Sequence, residues 1–311
     1  MTKSKKVKPA ILPRSIEDPT SVDKLERGAI RKFTAKLKKI GIEYSKLVDQ
    51  FRPSLAVNQR YVYELDEYTL QSVLQQGVAL IEDILIDGSQ SSFWFFNDYV
   101  EAAYERGTFQ EFTNLSHQSA AYEAGQESAR SILDSEPYRR RIALINARVF
   151  EEMKGLTAEV KANMTRVLTD GLARGLNPLE IARTLKATTS LSQARANRIA
   201  RTEITTALRR ARLDESDDAR DRFGLKSLMM QISALSPTTR KWHAERHGQL
   251  FTSDEVREWL ATGANSINCK CVFISVLVDD DGNPLNPIIQ ERAQKMLKKS
   301  KFATNQKCTC C

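Results

Sequence analysis

No stretch of this 311-residue sequence approaches the ~18 consecutive apolar residues that cross a bilayer, and its beginning carries no apolar core like that of a secretory leader. The expectation is a soluble product of the cytoplasm. Histidine is scarce, at three residues, and cysteine nearly so, at five. There is no Gly-rich phosphate loop, no G-x-S-x-G elbow and no Asp/Glu metal cluster, so no evident general base is supplied. Hydrophobic residues at 41% nevertheless exclude disorder throughout, and at ~100–200 residues per domain the length predicts two domains with real cores.

Acidic residues are also missing from both ends. Residues 1–15 hold Lys3, Lys5, Lys6, Lys8 and Arg14, and residues 292–311 hold Arg292, Lys295, Lys298, Lys299, Lys301 and Lys307. These ends carry +11 of a net +8, which leaves −3 for everything between. Basic arms on a nearly neutral body suit phosphate or an acidic protein surface, although solvated ends that aid solubility have the same composition.

Helical spacing of apolar residues dominates the first two thirds of the chain. It predicts a helix or helix pair over 23–51, with a break near Gly41, and, after a short strand at 61–65, a helix from the N-cap Asp66 to about Ile86. Helices over 93–106, 108–134, 138–154 and 157–174 follow, and Phe93-Trp94-Phe95-Phe96 reads as core. Asn177-Pro178 caps the next helix. A long helix over 192–216 then puts Ala196, Ala200, Ile204, Ala207, Leu208 and Ala211 on one face and Arg195, Arg198, Arg201, Arg209 and Arg212 on the other. The small-residue face predicts close packing. The arginine face is open to two readings, a DNA or acidic-protein contact and a solvated face with local acidic partners. After Gly224 the runs 228–235 and 272–278 have strand character, with short helices expected at 238–247 and 253–262.

His243 and His247 are four residues apart, so on a helix both rings share a face. Cys269 and Cys271 are two apart, so on an extended segment both thiols point the same way. Without an export signal the thiols stay reduced, and two His with two Cys would close a tetrahedral, structural zinc site. A variant would recruit Cys308 and Cys310, and the plain alternative is locally bonded histidines with buried thiols. A zinc-peptidase reading fails, because Ala244 stands where H-E-x-x-H needs its glutamate.

Four ordered motifs then resemble a known family. Gly171-Leu172-Ala173-Arg174-Gly175-Leu176-Asn177-Pro178, Ile199-Ala200-Arg201-Thr202-Glu203, Thr239-Arg240 with His243 and Gly248, and Asn268-Cys269-Lys270-Cys271 look like the phage Mu F-like head morphogenesis family, with a weaker echo at Tyr104-Glu105-Arg106-Gly107-Thr108. The resemblance covers about residues 155–280, and departs from the family in Ser236 for an aspartate and Lys270 for an arginine. It implies a minor head protein of a tailed phage: a virion component of the capsid interior, assembled in the host cytoplasm. The implied partners are the portal protein, a major capsid or scaffolding protein and double-stranded DNA bound without sequence preference, with no membrane. No established catalysis comes with it. Cysteines near positions 240 and 243 in some members add to the metal reading, with His247 at a more variable position. The alternative is a metal-dependent nucleic-acid-processing enzyme or toxin-linked domain.

The expected fold is a mainly α-helical N-terminal region followed by a small α+β C-terminal domain with a short sheet and a candidate structural zinc site. The expected segments are a basic flexible arm (1–20), a helical domain (21–155), a helical segment leading into the motifs (156–220), the α+β domain (221–285) and a basic, flexible, Cys-containing tail (286–311). The site residues are His243, His247, Cys269 and Cys271 for metal. Lys3, Lys5, Lys6, Lys8, Arg195, Arg198, Arg209, Arg212, Lys298, Lys299 and Lys301 are those for DNA or partner contact.

Overall fold

The computed structural model describes residues 7–55, 60–64, 66–125, 128–300 and 302. Lys3, Lys5, Lys6, Lys301, Lys307, Cys308, Cys310 and Cys311 lie outside the described residues.

Helices account for most of the first two thirds. In chain order the elements are α1 (Asp23–Lys46), β1 (Pro53–Leu55), β2 (Tyr61–Tyr63), α2 (Glu67–Ile86), β3 (Gly88–Ser89) and β4 (Ser92–Phe93). Then come α3 (Glu101–Gln118), α4 (Ala120–Gly125), α5 (Ala129–Leu133), α6 (Glu136–Ala173), α7 (Pro178–Thr188) and α8 (Gln193–Phe223). The last third holds β5 (Ser227–Ile232), α9 (Lys241–Glu245), β6 (Leu250–Phe251), α10 (Ser253–Ala261), β7 (Val272–Leu277) and α11 (Ile288–Lys299).

Contacts divide the chain into two units, each assembled from separated stretches. One comprises residues 1–26, 100–142 and 201–311; the other comprises 27–99 and 143–200. In the second unit Phe33 packs edge-on to Trp94 at 4.8 Å and Phe93 meets Phe150 at 5.4 Å, so the aromatic run is core. The Trp94 indole donates to the Leu85 carbonyl at 2.8 Å, which satisfies its one buried donor. Here α6 closes on Gly175 in the left-handed region (φ +64°), with the Leu176 amide donating to the Gly171 carbonyl, and Asn177 caps α7 through the Leu179 amide. The start of α7 at Asn177-Pro178 was legible in the sequence. The break expected at residue 155 is not there, since α6 runs unbroken through Gly155, where an added Cβ would sit 2.8 Å from the Arg195 guanidinium.

In the first unit β6, β5 and β7 form an antiparallel sheet in that order, with Met229 opposite Ser275 and Met230 opposite Ile274. Leu213 of α8 packs with Met229, Phe273 and Val256, while Ala219 joins Leu115 and Leu277. β7 is an edge strand, and α3 covers that edge with side chains. Glu111 accepts from the Ser275 amide (3.0 Å), Asn114 donates to the Ser275 carbonyl (2.8 Å), and Gln118 both donates to that carbonyl and accepts from the Leu277 amide (3.0 Å). Positions 111, 114 and 118 share one helix face, so α3 takes the place of a fourth strand. The 286–311 segment, expected as a flexible tail, includes α11, whose Ile289 and Ala293 are fully buried. Among the described residues no helix is long and apolar enough to cross a membrane.

Candidate metal centre

His243, Cys269 and Cys271 come together in the first unit, all buried, with their ligand atoms within 4.8 Å of one another. His243 Nδ1 lies 3.4 Å from Cys271 Sγ and 3.5 Å from Cys269 Sγ. A tetrahedral ion with Zn–S of about 2.3 Å and Zn–N of about 2.0–2.1 Å separates N and S donors by about 3.5 Å. One buried imidazole nitrogen and two thiol sulfurs at these distances make a zinc-type site in geometry and in donor chemistry. The hydrogen bond from Cys271 holds the Cys269 thiol well below its ordinary range, helped by Arg209 and His243, while that same bond and burial push Cys271 well above it.

Each ligand is held by surrounding residues. Arg209 of α8, 1% exposed, donates to the carbonyls of Cys269 (3.0 Å) and Ser266 (3.3 Å), fastening the loop that carries the cysteines. Asn268 adopts the left-handed conformation (φ +51°), which asparagine tolerates, and its amide donates to Thr202 Oγ1 at 3.1 Å. Lys270, between the cysteines, pairs with Asp23 and lies 3.7 Å from Glu26 at the start of α1. The Trp259 ring stands edge-on to His243 at 4.7 Å, and Gln231 donates to the His243 carbonyl at 3.2 Å. Arg240 bonds the carbonyls of Ala264 (3.1 Å) and Ile267 (2.9 Å) and places Nη1 3.3 Å from His243 Nε2. A guanidinium can only donate, so here Nε2 accepts and Nδ1 carries the ring hydrogen toward the sulfurs. An ion on Nδ1 moves that hydrogen to Nε2, and Arg240 then keeps only its two carbonyl partners.

The other expected ligand, His247, is not in this group. Its Nδ1 accepts from the Ser233 amide (3.1 Å) and its Nε2 donates to the Ala293 carbonyl of α11 (3.0 Å), so both nitrogens are committed. Burial lowers its pKa, as expected for a neutral ring. The closed two-His, two-Cys set is therefore corrected to three protein ligands among the described residues.

The expected arginine face also divides. Arg212 is buried, 2.7 Å from Glu111 and 2.9 Å from Gln110, and Arg209 is buried on the cysteine loop, so neither faces solvent. Arg195 pairs with Glu159 at 2.7 Å. Arg198, Lys8, Lys298 and Lys299 are exposed. Sequence reasoning missed Thr202, Trp259 and the loop-holding role of Arg209. Their partners lie 57 or more residues away for Thr202 and Arg209, beyond any local pattern. The small-residue face of α8 is buried as expected, and at Gly107 α3 approaches so closely that a Cβ would meet the Leu208 carbonyl and Ala211.

Three of the four motifs thus meet at one place, Arg201-Thr202 touching the Asn268 loop and Arg240 flanking His243. No curated protein and no solved structure matches the chain. Residues 162–274, just over a third of the chain, match the family model described as Phage Mu protein F like protein, and it is to that family that this part of the chain is similar.

Proposed function

We propose that this protein is a minor head protein of a tailed phage, a structural component rather than an enzyme. It sits at the portal and capsid interior and serves head assembly or the packaging and ejection of DNA. The observation that carries this reading is the match over residues 162–274. The buried His/Cys centre supports it, because an ion joining α9 to the cysteine loop adds its binding free energy to the folding of a small sheet domain. The partners proposed are the portal protein, a major capsid or scaffolding protein, and DNA held without sequence preference through the exposed Lys8, Arg198, Lys298 and Lys299. The proposed location is the virion, after assembly in the host cytoplasm.

Co-sedimentation with the portal protein encoded in the same genome, and detection by mass spectrometry in purified heads, test the reading. Absence from heads and from portal complexes would overturn it. One observation favours a second reading, a metal-dependent nucleic-acid-processing enzyme: the three metal-binding residues line a polar cavity rather than a sealed core. Cleavage of DNA or RNA with added Zn²⁺, Mn²⁺ or Mg²⁺, abolished by His243→Ala, would select it.

A further inference from the structure

A cavity of about 640 Å³ is walled by all three residues of the centre and also by Arg201, Arg240, Lys270, Glu17 and Asp23. Zinc prefers four ligands, and among the described residues the group supplies three. His247, the nearest candidate in sequence, is committed elsewhere through both nitrogens. A divalent ion with two thiolates and a neutral imidazole has no net charge. The three cations and two carboxylates of the wall then leave the cavity at +1. That balance suits one singly charged donor and disfavours a multiply charged one.

We propose that an ion at His243, Cys269 and Cys271 keeps its fourth position open to this cavity and takes there a singly charged anion from outside the chain. Arg201 and Arg240 bear on the charge of that ligand. The proposal rests on the metal centre and is independent of the head-protein reading. Structural zinc sites are closed by protein ligands, whereas an open position makes this one a ligand-responsive centre.

The test loads the full-length protein with Co²⁺, whose visible bands report the coordination shell, and titrates acetate, with azide as a second singly charged probe. A saturable change in the cobalt bands, with the sulfur-to-cobalt charge-transfer band preserved, is expected for both. Arg201→Gln, a change at an exposed position, should weaken acetate by about threefold or more while leaving cobalt uptake unchanged. The triple variant Cys308→Ser, Cys310→Ser, Cys311→Ser should give the spectrum of the parent. Bands that ignore both probes, or a charge-transfer band that falls in the triple variant, would show a closed site and overturn the proposal. Failure to take up one cobalt per chain would instead overturn the centre itself.

Discussion

A histidine four residues from another shares its face only while the helix continues. Here α9 ends at Glu245 and the chain turns through Gly248 at φ +78°, so the His247 ring goes to Ser233 and Ala293 while His243 stays with the cysteines. The Cys-x-Cys spacing did bring both thiols to one place, on the loop just before β7 begins at Val272. His243→Ala, Cys269→Ser and Cys271→Ser should each abolish zinc retention by elemental analysis, whereas His247→Gln should keep the metal and lower the melting temperature. Arg209 was read from its neighbours as part of a charged face, yet it is a buried clamp on two carbonyls. Arg209→Ala should cost about 2–4 kcal/mol in urea unfolding and weaken metal retention, and Arg198→Ala should change neither. Glu215 gives a pH test. Burial raises its carboxyl to about 7, against a hydrogen bond from Tyr122 that lowers it. Between pH 4.5 and 7 the folded carboxyl keeps its proton while the unfolded one has lost it, so this group makes stability fall as pH rises. Relative to the parent, Glu215→Gln should gain up to about 3 kcal/mol between pH 5 and 7.5. A difference independent of pH would contradict this.

Among the elements, those with strong local signals were legible. Asp66 caps α2 through the Thr69 amide at 2.7 Å, and Asn177-Pro178 opens α7. The two long strands appear where apolar or β-branched runs predicted them, while the two-residue β6 is too short to carry a pattern. The role of α3 was not legible. Its Glu111, Asn114 and Gln118 look like an ordinary polar stripe, and only the register of β7, more than 150 residues later, turns them into edge-strand partners. Gln118→Leu should leave the Leu277 amide unpaired, and Asn114→Leu the Ile11 amide that donates to Asn114 Oδ1, each at a cost of about 1–3 kcal/mol measured by chemical denaturation. Surface substitutions on α3 should be near neutral by comparison. The amphipathic α11 was hidden inside a run of lysines, where charge obscured the buried Ile289 and Ala293.

For the whole molecule, the order of segments along the chain held little hint of two units built from interleaved stretches. The contacts that define the first unit, such as Lys270 with Asp23 and Asn114 with Ser275, join residues 161 to 247 apart. Charge is different, because the positions of lysines and the absence of acids at the ends can be read directly. Removing residues 292–311 would also remove Ala293, the His247 partner, so the proper test of the basic ends is charge reversal. Lys8→Glu, Lys298→Glu and Lys299→Glu together should lower DNA affinity and flatten the dependence of log K on log salt by up to ~0.9 for each phosphate no longer neutralised. An unchanged slope would place DNA binding elsewhere. Native mass spectrometry of the full-length protein, compared with Cys269→Ser, tests the metal centre most directly. One zinc per chain in the parent and none in the variant is the expected result; a folded parent without metal, or a variant that keeps its zinc, would contradict the centre.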